Sequence, residues 1–198
     1  MQRRSRARCS RLRGVRGQAS VLAVVILVIA AMFIGLALLS YTMSWLNIQR
    51  SRQALTNAIS QAMSGLGLYV EQVNNSTFYI GVVDLLEGPF TFYVTLLNAS
   101  NYAPIINYVA FNATSGLTVY PPVDVPVSYV MIVGSAGGYI PLAAYTNVYP
   151  KVYKVTVYST ISQLLAVNAT SPGNYTLIFM IQFNGYYYEF NRLQLRSG

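Results

Sequence analysis

The side chains that most enzymes use for catalysis are scarce in this chain of 198 residues. It contains no His and a single Cys, Cys9, so it lacks the parts of a zinc site, a Ser-His or Cys-His nucleophile and a thiol redox pair. The carboxylates show no paired spacing for metal binding or acid-base catalysis, and we expect surface charges at Glu71, Asp84, Glu87, Asp124 and Glu189. The composition therefore predicts a protein that is not an enzyme and has no cofactor or metal ion.

One chemical pattern is frequent, the Asn-X-Ser/Thr sequon for N-glycosylation. The 13 Asn and 29 Ser plus Thr would give about two matches by chance, and the chain has six. The candidate sites are Asn74, Asn75, Asn98, Asn112, Asn168 and Asn174. Because N-glycosylation occurs on the exported side of a membrane, they favour an extracellular location for the region that contains them. The alternative is that Asn, Ser and Thr cluster in β-turns for structural reasons.

The basic residues are concentrated at the N-terminal end of the chain, before the region that contains the sequons. Seven of the 13 basic residues lie in the first sixteen positions, and the rest of the chain has six basic and five acidic residues. The seven are Arg3, Arg4, Arg6, Arg8, Arg11, Arg13 and Arg16. A nucleic-acid-binding domain needs a basic patch on its folded surface, so we expect no nucleic-acid partner.

An uninterrupted apolar run, Val21 to Leu39, follows this basic leader. At about 1.5 Å per residue it is roughly 28 Å long in helical form, enough to cross a bilayer. It exceeds the apolar stretch of a cleaved secretory signal. Because Arg accumulates on the cytoplasmic side, the leader predicts a membrane-bound precursor with its N-terminus inside and its C-terminal body outside.

Beyond the apolar run the pattern becomes amphipathic, with apolar residues spaced by three, four and seven, until Gly65 and Gly67. The apolar positions are Ile48, Leu55, Ala58, Ile59, Ala62, Met63 and Leu66. Segments rich in Tyr, Phe, Val, Ile and Thr then alternate with turn formers, and the pair Asn184-Gly185 predicts a two-residue hairpin. The predicted fold class is α+β. A leader (1–17) precedes a long hydrophobic, then amphipathic helix (18–65) and an all-β, immunoglobulin-like antiparallel sandwich (66–198).

The junction of leader and helix reads RLRGVRGQASVLAVVILVIAAMFIGLALLS. A short basic leader ending in Arg-Gly, then a long apolar helix and a β-rich body, resembles an archaeal type IV pilin precursor with a class III signal peptide. The resemblance implies cleavage by a prepilin peptidase after Gly17, with Arg16 as the adjacent basic residue and Gln18 as the new N-terminus. Position five of the mature chain is then Leu22, where bacterial pilins commonly have Glu, and archaeal relatives often lack that Glu. A second Arg-Gly step ends at Gly14, so cleavage there is an alternative.

Other members of the same superfamily are alternatives. The RGQA before the helix and the QRSRQALTNAISQA after it are similar to the TadE and TadG pseudopilins, and archaellins share the overall plan. A fourth hypothesis is a single-pass, membrane-anchored surface binding protein.

The pilin resemblance implies a structural subunit of an extracellular filament that serves in adhesion and surface attachment. Helices would pack as a central bundle in a homopolymer, with β-domains facing outward. An assembly ATPase and a membrane platform protein, besides the prepilin peptidase, would be partners before assembly. The expected filament-core positions are Val21, Leu22, Val25, Ile26, Ile29, Phe33, Leu36 and Leu39.

Overall fold

The computed structural model describes residues 11–74, 76–86, 88–123, 129–132, 139–141, 149–158 and 161–196. These residues form one long helix followed by eleven strands in two sheets, so the predicted α+β class with a sandwich-like β-domain is confirmed. The helix is α1 (Arg11–Gly65). The strands are β1 (Leu66–Asn74), β2 (Thr77–Asp84), β3 (Phe90–Asn98), β4 (Tyr108–Asn112), β5 (Leu117–Pro122), β6 (Tyr129–Ile132), β7 (Tyr139–Pro141), β8 (Tyr153–Val157), β9 (Gln163–Ala169), β10 (Asn174–Phe183) and β11 (Tyr186–Arg196).

Helix α1 ends where the sequence predicts, at Gly65, and β1 follows directly. The Gly65 carbonyl, which has no partner within the helix, accepts a hydrogen bond from the Leu85 N–H at 2.7 Å. A Cβ atom at position 65 would lie 2.4 Å from Leu86 Cγ, so glycine allows this close approach.

At its N-terminal end the helix is already formed at Arg11, the first described residue, and not only from residue 18 as predicted. Arg, Leu and Gln are good helix formers, and each glycine in this stretch costs only about 1 kcal/mol.

The chain forms two compact units, and the boundary between them falls inside α1. One unit ends at Gln53 and the other begins at Ala54, whereas the predicted division lay after residue 65. The last turns of the helix belong with the strands because Ile59 and Ala62 are buried in the core of the second unit. We call this second unit the β-domain.

The smaller sheet of the β-domain has the strand order β1-β2-β9-β4, and the larger has the order β5-β8-β3-β10-β11-β6-β7. Neighbouring strands are antiparallel except β11 and β6, which pair in parallel. These eleven described strands exceed the seven or nine of the immunoglobulin types. The predicted hairpin joins β10 to β11, and both turn residues have positive φ, 50° at Asn184 and 82° at Gly185, as a type I′ turn requires.

Strand β10 is buried on both of its faces. Phe179 points into the main core between the two sheets, where its ring lies 5.8 Å from that of Phe92. Ile178 and Met180 point to the opposite side and belong to a second apolar cluster with Val130 and Val152. Other parts of the chain therefore cover this outward side of the seven-stranded sheet.

Candidate functional site

The most unusual surface of the described residues is the first part of α1. Between Ser20 and Ile48 every side chain is exposed, and the large apolar ones are 46% to 71% accessible. The eight predicted filament-core residues all lie within this range. They are Val21, Leu22, Val25, Ile26, Ile29, Phe33, Leu36 and Leu39. We call residues 20–48 the apolar segment. Among the described residues α1 alone is long and apolar enough to span a membrane.

The apolar segment changes character toward its C-terminal end. Tyr41 and Trp45 come after the uninterrupted apolar run, and such aromatic side chains are typical of the membrane-water interface. The Thr42 hydroxyl donates to the Leu39 carbonyl at 2.9 Å, so this polar group is satisfied within the helix. Arg50 and Arg52 follow, and they are the first charged residues after Arg16. The sequence thus contains a span of membrane length with an aromatic border.

The predicted processing residues Arg16, Gly17 and Gln18 all lie within α1. Gly14 is helical too, so the backbone does not distinguish the two Arg-Gly steps. Cys9 and residues 1–8 lie outside the described residues.

The predicted glycosylation sites differ in their surroundings. Asn74, Asn112, Asn168 and Asn174 are exposed, whereas Asn98 is half-buried and accepts a hydrogen bond from the Ser100 N–H at 2.9 Å. Asn75 lies outside the described residues.

The sequon of Asn174 differs from the others because its third residue, Thr176, is fully buried. The sequons of Asn112 and Asn168 end in Thr114 and Thr170, whose hydroxyl groups bond to Gln163 Oε1 and to the Asn107 carbonyl. Modification at Asn174 would therefore have to precede folding if the transferase must reach the Thr176 hydroxyl.

The prediction that all the carboxylates are surface charges is wrong for two of them. Asp84 is 1% exposed, and its Oδ1 accepts a hydrogen bond from the Leu86 N–H at 2.9 Å, which fixes the turn after β2. Glu189 is 9% exposed and binds Arg192 through two hydrogen bonds, Nε to Oε1 at 2.5 Å and Nη2 to Oε2 at 2.8 Å. Burial of a carboxylate is tolerated when it is paired in this way.

The same ion pair also affects the pKa of its arginine. The Glu189 carboxylate raises the pKa of Arg192, so the guanidinium stays charged, and its Nη1 also lies 3.4 Å from the Tyr102 hydroxyl. Glu87 and Asp124 lie outside the described residues. Within the described part of the chain no three His, Cys, Asp or Glu side chains come together as a metal site would require.

An open cleft of about 300 Å³ lies in the β-domain beside the end of α1. The Tyr93 hydroxyl donates to Gln182 Oε1 at 3.0 Å on its wall, and the lining has no charged side chain. The polar groups on its wall are the hydroxyl groups of Thr91 and Tyr93 and the amides of Gln61 and Gln182.

Models of known protein families give no match to this chain, and curated protein sequences give no significant match. Support for a function therefore comes from the arrangement of the chain's own residues.

Proposed function

We propose that this protein is a structural subunit of an extracellular type IV pilus-like filament and polymerises through its apolar segment. The observation that carries the proposal is the exposure of that segment. Its large apolar side chains are at least 46% accessible, from Val21 to Ile48. Surfaces of this size and apolarity do not remain in water, because burying them against another apolar surface is strongly favourable.

Two environments can bury such a segment, a lipid bilayer and other copies of the same helix. The bilayer would bury the apolar segment of the precursor, and neighbouring copies in the homopolymer would bury that of the mature subunit. Transfer of each large apolar side chain out of water contributes about 1.5–3 kcal/mol, so roughly twenty of them supply tens of kcal/mol per subunit before entropy costs. A filament held by this segment is expected to resist dissociation by salt.

The leader and the sequons support an exported location. Seven arginines before the apolar segment favour an N-terminus inside the cell, which leaves the β-domain outside. The six sequons all lie between Asn74 and Asn174, within the part of the chain that would be exported. In this proposal a prepilin peptidase removes the leader after Gly17. An assembly ATPase and a membrane platform protein then extract the subunit from the membrane.

The decisive experiment is N-terminal mass spectrometry of filaments sheared from the cell surface. We expect filaments that contain this chain beginning at Gln18. Gly17→Leu should leave an uncut precursor in the membrane, whereas the matched variant Gly14→Leu should mature normally.

Each departure from this result has a distinct meaning. Maturation blocked by Gly14→Leu and not by Gly17→Leu would move the cleavage to the first Arg-Gly step. Normal maturation of both variants would contradict processing at either step. Protein found only in membranes, with no filaments, would contradict assembly and favour a singly anchored surface binding protein.

A further inference from the structure

The two sheets of the β-domain differ in what covers their outward sides. The apolar cluster around Ile178 and Met180 covers part of the seven-stranded sheet. On the four-stranded sheet the side chains of β2 point alternately inward and outward. Phe78, Ile80 and Val82 point inward and are fully buried. The residues between them point outward.

Register pairs arrange the outward residues of this sheet in rows. One row crosses from Thr77 to Asn168 to Val109, and the next crosses from Tyr79 to Ala166 to Phe111. Tyr69 lies over Gly81 in the third row, and its hydroxyl is 2.8 Å from Ser162 Oγ. We call this surface the outer face, and it consists of Tyr69, Thr77, Tyr79, Val109, Phe111, Leu164, Ala166 and Asn168.

The outer face is largely apolar, although Thr77 and Asn168 are polar and the edge strand β1 has one charged residue, Glu71, at its irregularity. Val109 is 52% exposed and Phe111 is 39% exposed, and strands β2, β9 and β4 place no charged side chain on it. Ala166 is fully buried although it points outward, because its two cross-strand neighbours are the aromatic residues Tyr79 and Phe111. An open, largely apolar aromatic surface needs a cover in water.

A sequon lies within the same face. Asn168 is exposed on the inner strand β9, with Val109 directly opposite it on β4. Tyr79 and Phe111 are its diagonal neighbours on the two flanking strands, at a separation of about 7–8 Å that long groups can bridge. The Ser76 hydroxyl lies 3.4 Å from Asn168 Oδ1, and the amide nitrogen is the atom to which a sugar would be linked.

We infer that Asn168 carries an N-linked oligosaccharide and that this glycan lies over Tyr79, Phe111 and Val109. The inference rests on the exported location of the β-domain in the proposed function. The glycan is favoured over a second copy of the chain as the occupant because its attachment point is inside the face. A bulky hydrated group there obstructs contact with another sheet. The C–H groups of the sugar rings would pack on the aromatic faces, and the sugar hydroxyls would replace the apolar surface with a hydrated one.

The experiment uses protein isolated from the cells that produce it. Glycopeptide mass spectrometry first reports whether Asn168 is occupied, and hydroxyl-radical footprinting then reports the oxidation rates of Tyr79 and Phe111. We expect an occupied Asn168 and a severalfold increase in both rates in Asn168→Gln. The matched variant Asn98→Gln, on the other sheet, should leave both rates unchanged.

Enzymatic release of the glycan from folded wild-type protein gives the same comparison without a mutation. It should reproduce the increase seen in Asn168→Gln. An unmodified Asn168, or unchanged oxidation rates after the glycan is removed, would overturn the inference. If Asn168→Gln dimerises through the newly exposed face, the cover by the glycan is supported. If the wild-type protein is unmodified and already dimeric there, a second copy is the occupant.

These outcomes are independent of filament formation, which electron microscopy detects separately. Filaments with an unmodified Asn168 would contradict the glycan and leave the proposed function intact. An occupied Asn168 in protein that never forms filaments would support the glycan and contradict the proposed function.

Discussion

Helix α1 contains two segments whose apolar side chains meet opposite environments. In the apolar segment, 20–48, apolar residues occupy the whole circumference and all of the large ones are exposed. In the last turns, from Ala54 to Gly65, most of them form one stripe that packs into the core of the β-domain, and Met63 is exposed. The members of this stripe are Leu55, Ala58, Ile59 and Ala62, with Leu66 continuing it into β1.

The difference shows what each pattern needs as a partner. A stripe at a spacing of three and four residues is satisfied by one surface, which the sheets of the same chain supply. A helix that is apolar on all sides needs to be surrounded, and one small β-domain does not surround 29 residues. The partner of the apolar segment is therefore expected to come from outside the chain.

The strongest test of this difference is to delete one segment. A chain lacking residues 1–45 retains the stripe and the β-domain, and we expect a folded, soluble or marginally soluble monomer that forms no filaments. Sedimentation velocity and electron microscopy measure this directly. Filaments formed by the truncated chain would place the assembly interface in the β-domain and contradict the proposed role of the apolar segment.

Single substitutions sharpen the same contrast. Ile59 is 5% exposed and Ile48 is 50% exposed, and both remain in the truncated chain that lacks residues 1–45. Ile59→Ala should lower its free energy of unfolding by about 2–5 kcal/mol, since it removes core contacts and leaves a cavity.

The same change at Ile48 should alter the unfolding free energy by less than about 0.5 kcal/mol. Urea titration of both variants measures the two values. Equal losses at the two positions would mean that residue 48 also contributes to the core.

The parts of the fold that follow from local pattern could be predicted from the sequence. The apolar run, the stripe from Leu55 to Leu66, the end of the helix at Gly65 and the hairpin at Asn184-Gly185 are each encoded within a few neighbouring residues. Two predicted members of the stripe, Ile48 and Met63, are exposed, because the packed surface covers only the residues facing the sheets.

The features that depend on strand pairing could not be predicted. In a regular strand Glu189 and Arg192 would point to opposite sides, because side chains alternate. An irregularity at Phe190, where Phe179 pairs with Asn191 and Met180 pairs with Glu189, places both side chains on one side and allows the ion pair. The outer face depends likewise on pairing between β2, β9 and β4, which are distant in sequence. Composition alone therefore misplaced Glu189 and could not select Asn168 among the six sequons.

The two regions are also expected to differ in their response to alkaline pH, which is the smallest of these effects. The stretch from Ser20 to Leu39 has no titratable side chain, so its assembly should be insensitive to pH. In the β-domain, Tyr108 is 1% exposed, and burial raises its pKa above the ordinary value of 10. Its hydroxyl donates to the Lys151 carbonyl, and its ring packs edge-on against Tyr153 at 5.4 Å. The folded state therefore holds this proton more tightly than the unfolded chain does.

A raised pKa in the folded state gives stability that is complete below pH 10 and is lost as the pH rises above it. We expect the unfolding free energy of the truncated protein to fall as the pH rises from 10 to 11. Tyr108→Phe should be less stable at pH 7 by about 1 kcal/mol, because it loses one hydrogen bond to the Lys151 carbonyl and leaves only the Thr95 hydroxyl as donor there. It should also show a shallower alkaline decline. The control Tyr149→Phe alters a side chain that is 48% exposed and should keep the wild-type decline. Urea titrations across this range measure all three proteins. An alkaline decline as steep in Tyr108→Phe as in the wild type would mean that other groups, such as Tyr153, whose pKa burial also raises, control the response.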